Sequence, residues 1–381
     1  MKKAILGSIL LMLPLLAGCN NNQPVQGEIK ITDLIGREVM VNPGSYSRVV
    51  CIGAGALRMY SYVGDVDKLA GVEDIDNESL SERPKMFDGV ARPYFIANKD
   101  KFALLPTCGV GGPQNQKVEK EKILSCRPDI VISEYEDVEQ MNELQSLLEV
   151  PVITIDYGSK GIFDEKVQDS INLLGMIFSK EERATYLTNY INTTKEDISS
   201  RTSNLSEEET SKKVYICGLG QWGTTSHLYT AKNYEPFNVA HINNIADSLT
   251  NNGVQPITKE QFEAYGPNMD VMIFDAAAVK NIKPLYKEDS TMFDSCKAWK
   301  NGEVYLQMPY NAYYTNLELA LVNTYYNAIA VYPNHFADID IEIKTNEVTK
   351  TFLGKELNNE IKSYQHSFGG YQKINTETFF N

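Results

Sequence analysis

Three stretches of this sequence could do chemistry. Gly218-Leu219-Gly220-Gln221-Trp222-Gly223 is a formal G-x-G-x-x-G directly after an apolar run, the pattern that cradles a dinucleotide pyrophosphate. That chemistry needs a helix N-terminus after the glycines and an acid about 20 positions on for the ribose. The following TTSHLYTAKNYEPFNV is polar and broken by Pro236, and no strand ends in an acid at the required place. The segment reads better as a glycine-loosened loop at a strand end, presenting Trp222, Thr225 and backbone N–H groups to a ligand. Ser226-His227 suggests a hydrolase, but adjacent residues cannot give each other triad geometry, and no G-x-S-x-G occurs. The four histidines are not paired at ligand spacing. Cys51, Cys108, Cys126, Cys217 and Cys296 form no C-x-x-C, and Cys51, Cys126 and Cys217, in or next to apolar runs, read as small buried hydrophobes. Neither catalytic residues nor a resident cofactor or metal is expected, and the chain reads as a binder rather than an enzyme.

Binding candidates cluster after apolar runs. Arg58 follows the turn Gly53-Ala54-Gly55, where it would either meet an anionic ligand group or pair with a surface carboxylate. Arg92-Pro93-Tyr94 and Gly109-Val110-Gly111-Gly112-Pro113 are irregular loops; Arg92, Tyr94 and Gly112 are candidates from them, against a plain solvated-loop reading. The densest aromatic segment is Pro309-Tyr310-Asn311-Ala312-Tyr313-Tyr314-Thr315-Asn316, ahead of a helix from Leu317 to Ala330 that Thr315 or Asn316 would cap. Tyrosines exposed on such a loop are costly unless they meet something, so Tyr310, Asn311 and Tyr314 are assigned to a ligand, with Tyr313 a further possibility. Tyr325 and Tyr326, inside the helix, belong to the core.

The elements that must position these residues alternate. RVVCI (48–52), DIVIS (129–133) and VPVITID (150–156) are strands in the first half; KVYICGLG (213–220), DVMIFD (270–275) and GEVYLQ (302–307) repeat the theme in the second. Strands alternating with helices imply parallel sheets with covered faces. EKILSCRPDIVI from Glu121 and EQFEAYGPNMDVMI from Glu260 each run from a glutamate through a short helix to a proline seven residues on, then a strand. Two matched α/β lobes follow. Between them, Val167, Ile171, Leu174, Phe178, Tyr186, Leu187 and Ile191 keep helical spacing without proline, which predicts one long rigid connecting helix and little closure.

The chain starts with Lys2-Lys3 and an apolar run from Ala4 to Leu16, shorter than the roughly 20 residues of a spanning helix. Leu16-Ala17-Gly18-Cys19 resembles a bacterial lipobox, in which the cysteine is lipidated and becomes the N-terminus. Residues 1–18 are then a lipoprotein signal peptide, 19–27 a flexible tether, 28–160 the first lobe, 161–211 the connecting helix, and 212–381 the second lobe with C-terminal helices. The net charge of −14 argues against nucleic acid and anionic lipid surfaces as partners, and a monomer is expected.

Two lobes of this kind, a helical connector and a lipoprotein signal resemble the class III solute-binding proteins of ABC importers, which bind ferric siderophores, cobalamin and haem. ITDLIGREVMVNPGSYSRVVCIG (31–53) is similar to the family's opening D-x-x-G-R-x-V hairpin and first strand, and KAWKNGEVYLQ (297–307) to its late A-V-K-N-G-x-V-Y segment. The resemblance implies an α/β fold of two Rossmann-like lobes with parallel sheets. It also implies an extracytoplasmic, lipid-anchored protein that holds a metal chelate between its lobes and delivers it to a permease and its ATPase. Glu121 and Glu260 match the family's pattern of one permease-docking glutamate per lobe. A small oxyanion ligand, or a scavenging surface lipoprotein without a permease, remains the alternative.

Overall fold

The computed structural model describes residues 27–113, 117–220 and 226–380. Cys19 with the expected signal segment, and Trp222 and Thr225, lie outside the described residues.

An antiparallel hairpin comes first, β1 (Ile29–Thr32) and β2 (Glu38–Val41). Its turn is built by the D-x-x-G-R stretch. The Asp33 carboxylate accepts from the Arg37 backbone N–H at 2.9 Å and from its guanidinium at 2.7 Å, while Gly36 takes φ +83°. Both side chains are buried, and the Thr154 N–H donates to Asp33 as well, so the motif staples the hairpin to the first sheet. That sheet is wound by β3 (Val49–Ile52), α1 (Ala56–Val63), β4 (Leu69–Glu73), α2 (Pro93–Phe102), β5 (Thr107–Gly109), α3 (Lys120–Ser125), β6 (Ile130–Ser133), α4 (Val138–Leu148) and β7 (Val152–Thr154). It is parallel throughout, in the order β5-β4-β3-β6-β7. Every residue of β3, β6 and β7 is buried, as a sheet covered on both faces requires.

The helical spacing read from Val167 to Ile191 is divided between two helices, α5 (Glu165–Ile177) and α6 (Glu181–Arg201). The chain reverses at Ser179, which takes φ +51° without being glycine. Gln168 and Asn192 exchange hydrogen bonds of 3.0 Å, and a Cβ on Gly175 would lie 2.5 Å from that of Ala184, so the two helices pack closely and antiparallel. The single long connector is therefore α6 alone, 21 residues and about 30 Å. Arg201 fastens its end to Asp338, and a short α7 (Glu207–Ser211) with a Ser206–Glu209 capping box leads on.

The second sheet comprises β8 (Lys213–Cys217), β10 (Asn243–Asn244), β12 (Val271–Asp275), β13 (Val304–Gln307) and β14 (Gln372–Lys373), in the order β10-β8-β12-β13-β14, with only β14 antiparallel. Between its strands lie β9 (Tyr229–Lys232) paired with β11 (Gly253–Pro256), and α8 (Glu235–Val239), α9 (Lys259–Tyr265), α10 (Ala276–Glu288) and α11 (Lys297–Lys300). The helices α12 (Leu317–Val331), α13 (Ile341–Leu353) and α14 (Asn358–Ser363) follow. The internal repeat is visible as geometry: α3 leads into β6 beside β3, and α9 leads into β12 beside β8. One hydrophobic core runs from Tyr60, Ile132 and Leu174 in the first lobe to Leu317, Leu321 and Phe352 in the second. Among the described residues, no helix is long and apolar enough to cross a membrane.

Candidate functional site

A cavity of about 750 Å³ opens between the lobes. Its walls are the loops that leave the carboxyl ends of the strands, the usual ligand position in α/β sheets. From the first lobe come Ala54 after β3, Gly112 and Pro113 after β5, Glu134-Tyr135-Glu136 after β6, and Tyr157 to Ser159 after β7. From the second lobe comes the loop after β13, with Tyr310, Asn311, Tyr313, Tyr314 and Thr315.

That loop is tightly wound. Asn311 and Thr315 form an isolated bridge, the Ala312 N–H donates to Tyr314 O at 3.1 Å, and the Asn316 N–H donates to Tyr310 O at 2.7 Å. Closing so short a loop places Tyr313 and Tyr314 at φ +52° and +71°, a left-handed conformation costing roughly 1–2 kcal/mol per non-glycine residue. Contacts with the other lobe hold it there. Tyr313 is buried among Ile75, Phe87 and Val90, and its hydroxyl donates to the Glu73 carboxylate. The Tyr314 ring lies 4.5 Å from that of Tyr157, tilted by 46°. Asn311 donates to Gly220 O at 3.2 Å, which brings the chain to the cleft just before residues 221–225.

The electrostatics of the cleft are acidic. Burial pushes Glu134 up to about 8, with Glu136, Asp156 and Glu73 reinforcing the shift, and burial pushes Glu73 up to about 7 against the hydrogen bonds from Tyr313 and the Gly53 N–H. Burial also holds the Tyr314 phenol up at about 12, so it remains a neutral hydrogen-bonding group. Asp275, at the end of β12, is pushed by burial to about 7 and caps α10 through the Ala277 N–H at 3.0 Å.

The structure divides the expected site residues. Gly112, Tyr310, Asn311 and Tyr314 line the cleft. Arg58, Arg92 and Tyr94 do not. Arg58 is wholly buried, donates to Ala312 O across the lobe seam at 2.7 Å, and lies 4.6 Å from the centre of the Tyr94 ring. It is neither a cleft residue nor a surface ion pair, because Gly53-Ala54-Gly55 turns α1 inward. Arg92 is ion-paired with buried Asp76, which also accepts from the Tyr94 hydroxyl at 2.7 Å. Those three residues are internal structure. Asn316 caps α12 by position and spends its amide on Tyr310 O instead. Glu121 and Glu260 are exposed in the first turns of α3 and α9.

The other motifs resolve simply. Among the described residues, the next regular element after Gly218 is strand β9 rather than a helix, and Gly218 itself takes φ +83°. His227 sits edge-on between Phe262 and Phe293, pushed down to about 4 by burial, and is a packing residue. The five described cysteines are buried and free, and no cluster of metal-ligating side chains occurs among the described residues. Sequence reasoning missed Glu134, Tyr135, Glu136 and Tyr157. The available signal was their position directly after strands already recognised.

Residues 49–309, more than half of the chain and spanning both sheets, match the family model of the periplasmic binding protein. The chain belongs to that family. Its members are solute-binding proteins. No curated protein matches it in sequence. Among solved structures, a periplasmic solute binding protein from Veillonella parvula is 20% identical, with 93% of this chain covering 100% of that one at a TM-score of 0.69. MolA from Haemophilus influenzae, bound to molybdate, is 17% identical over 86% of this chain and 98% of that one, with a TM-score of 0.63. CeuE from Helicobacter pylori, in a Ni-His complex, is 14% identical over 88% and 98%, with a TM-score of 0.56. At these identities the likeness is one of fold, and the ligand must be argued from the cleft.

Proposed function

We propose that this solute-binding protein serves an ABC importer, capturing an organic-wrapped metal of the ferric siderophore, haem or corrinoid kind between its lobes and presenting it to a permease. The observation that carries this reading is the size and lining of the cleft: about 750 Å³ with five tyrosines on its walls. A small oxyanion would need a few N–H groups in a far smaller space, whereas broad aromatic faces suit the organic shell of a chelate. Binding and release require no covalent step. The continuous core and the buried seam contacts of Arg58 and Tyr313 favour small closure over wide opening.

The remaining parts of the proposal rest on sequence and position. Lipidation of Cys19 would hold the protein on the outer side of a membrane, and Cys19→Ala should move it to the soluble fraction. Glu121 and Glu260, exposed at equivalent places in the two lobes, would dock on the two halves of the permease. A thermal-shift screen tests the ligand class, since any molecule bound only by the folded chain raises Tm. Ferric siderophores, corrinoids or haem should stabilise the protein. Stabilisation by molybdate or phosphate and by none of the chelates would overturn the reading.

A further inference from the structure

The walls of the cleft carry carboxylates without counter-ions. Glu134 and Glu136 line it, and neither carboxyl group makes a hydrogen bond or ion pair with a described residue, the Glu134 backbone N–H alone donating to Ile52 O at 3.1 Å. No lysine or arginine lines it among the described residues, and residues 114–116 and 221–225 contain no charged residue in sequence. Three neighbouring cations do not line it. Arg58 is sealed into the lobe seam, Lys166 pairs with Asp156 at 3.3 Å, and Lys160 faces Asp164 and Glu235 in the adjoining recess.

The features that would attract an anion are also occupied by this chain's own acids. Glu73 accepts from the Gly53 N–H, ahead of α1, at 3.1 Å. Asp275 caps α10, and Glu318 sits in the first turn of α12, hydrogen-bonded to Tyr62 of the other lobe. The positive ends of these helices are already answered. What the cleft offers instead is a set of neutral aromatic faces, among them Tyr157 and Tyr314 with rings 4.5 Å apart, beside two unpaired carboxyl groups. Aromatic faces beside carboxylates stabilise positive charge and repel negative charge.

We infer that the cleft selects a ligand carrying positive charge, either a cationic metal chelate or a chelate with a pendant ammonium group, seated with that charge against Glu134 and Glu136. The inference rests on the chelate reading above and deepens it.

The test uses probes that differ by charge: ferrioxamine B, which keeps a free ammonium; its N-acetyl derivative, which is neutral; ferric enterobactin, which is anionic; and the metal-free organic cation tetraethylammonium. Affinities are measured by calorimetry on the full chain and on Glu134→Gln/Glu136→Gln, which preserves shape. Preference for ferrioxamine B over its N-acetyl derivative by about tenfold or more, reduced severalfold in the double variant, is expected for one charge beside a half-buried carboxylate. Equal or tighter binding of the neutral or anionic complex overturns the inference and leaves the chelate reading intact. Binding of tetraethylammonium alone, dependent on the two glutamates, keeps the charge selectivity and overturns the chelate reading. Binding of none of the four counts against both.

Discussion

The hydroxyl of Tyr313, on the second lobe, donates a hydrogen bond to the carboxylate of Glu73 on the first, between residues 240 positions apart. This contact fixes the loop that forms one wall of the cleft. It also ties the relation of the lobes to a titratable group. Burial raises Glu73 to about 7 from an ordinary 4.5, so the folded state holds that proton more tightly than the unfolded one. The stability it contributes is fully present below the unfolded value and lost as pH rises through about 7. Glu235 and Asp275, raised by burial to about 7, act in the same direction. Tm should therefore fall between about pH 5 and pH 8. Glu73→Gln, which keeps an acceptor for Tyr313 but turns its NH2 toward the Gly53 N–H, should flatten part of that slope. Calorimetric melts showing an unchanged slope in the variant would contradict the assignment.

Tyr157 and Tyr314 form an aromatic pair across the cleft. Tyr314→Ala should weaken ligand binding by roughly 1–3 kcal/mol through lost contact area, with Tyr157→Ala of similar size. Titration against the ligand identified by screening checks this. Full affinity in a folded Tyr314→Ala protein would place the ligand elsewhere.

Arg92 and Asp76 are a buried pair away from the cleft wall. Removing one partner leaves the other charge buried, so Arg92→Ala should cost roughly 3–5 kcal/mol in chemical unfolding. Ligand affinity of the fraction that remains folded should be unchanged. A selective loss of affinity without loss of stability would return Arg92 to the binding site.

Glu121 and Glu260 mark equivalent exposed positions on the two lobes. An acid in the first turn of a helix contributes only about 0.3–1 kcal/mol to stability. Glu121→Arg with Glu260→Arg should abolish uptake in cells while leaving affinity in solution intact. Normal uptake would reduce both residues to helix-end electrostatics.

Much of this architecture was legible because burial leaves a periodic trace. Runs such as VVCI and VMIFD read as strands covered on both faces, and the Glu-to-Pro repeat carries the pairing of the lobes. The division of the connector into α5 and α6 was not legible. The reversal at Ser179 uses neither proline nor glycine, and the apolar spacing continues through it. The loops after strands do border the cleft, and Gly112, Tyr310, Asn311 and Tyr314 line it. Arg58, Arg92 and Tyr94 were misjudged because composition does not reveal which way a side chain turns. Buried Asp76 and the carbonyl of Ala312 are their partners, and only the tertiary fold brings these close. Glu134 and Tyr135 were passed over because a charged residue after a strand reads equally well as solvated surface.

The most direct test is to identify what the full chain retains when purified without denaturation from its native cells, by combined mass spectrometry and elemental analysis, alongside Tyr314→Ala prepared identically. The account predicts a metal-bearing organic molecule, about one per chain, depleted in the variant. A metal-free metabolite or a bare oxyanion retained at that level would contradict it.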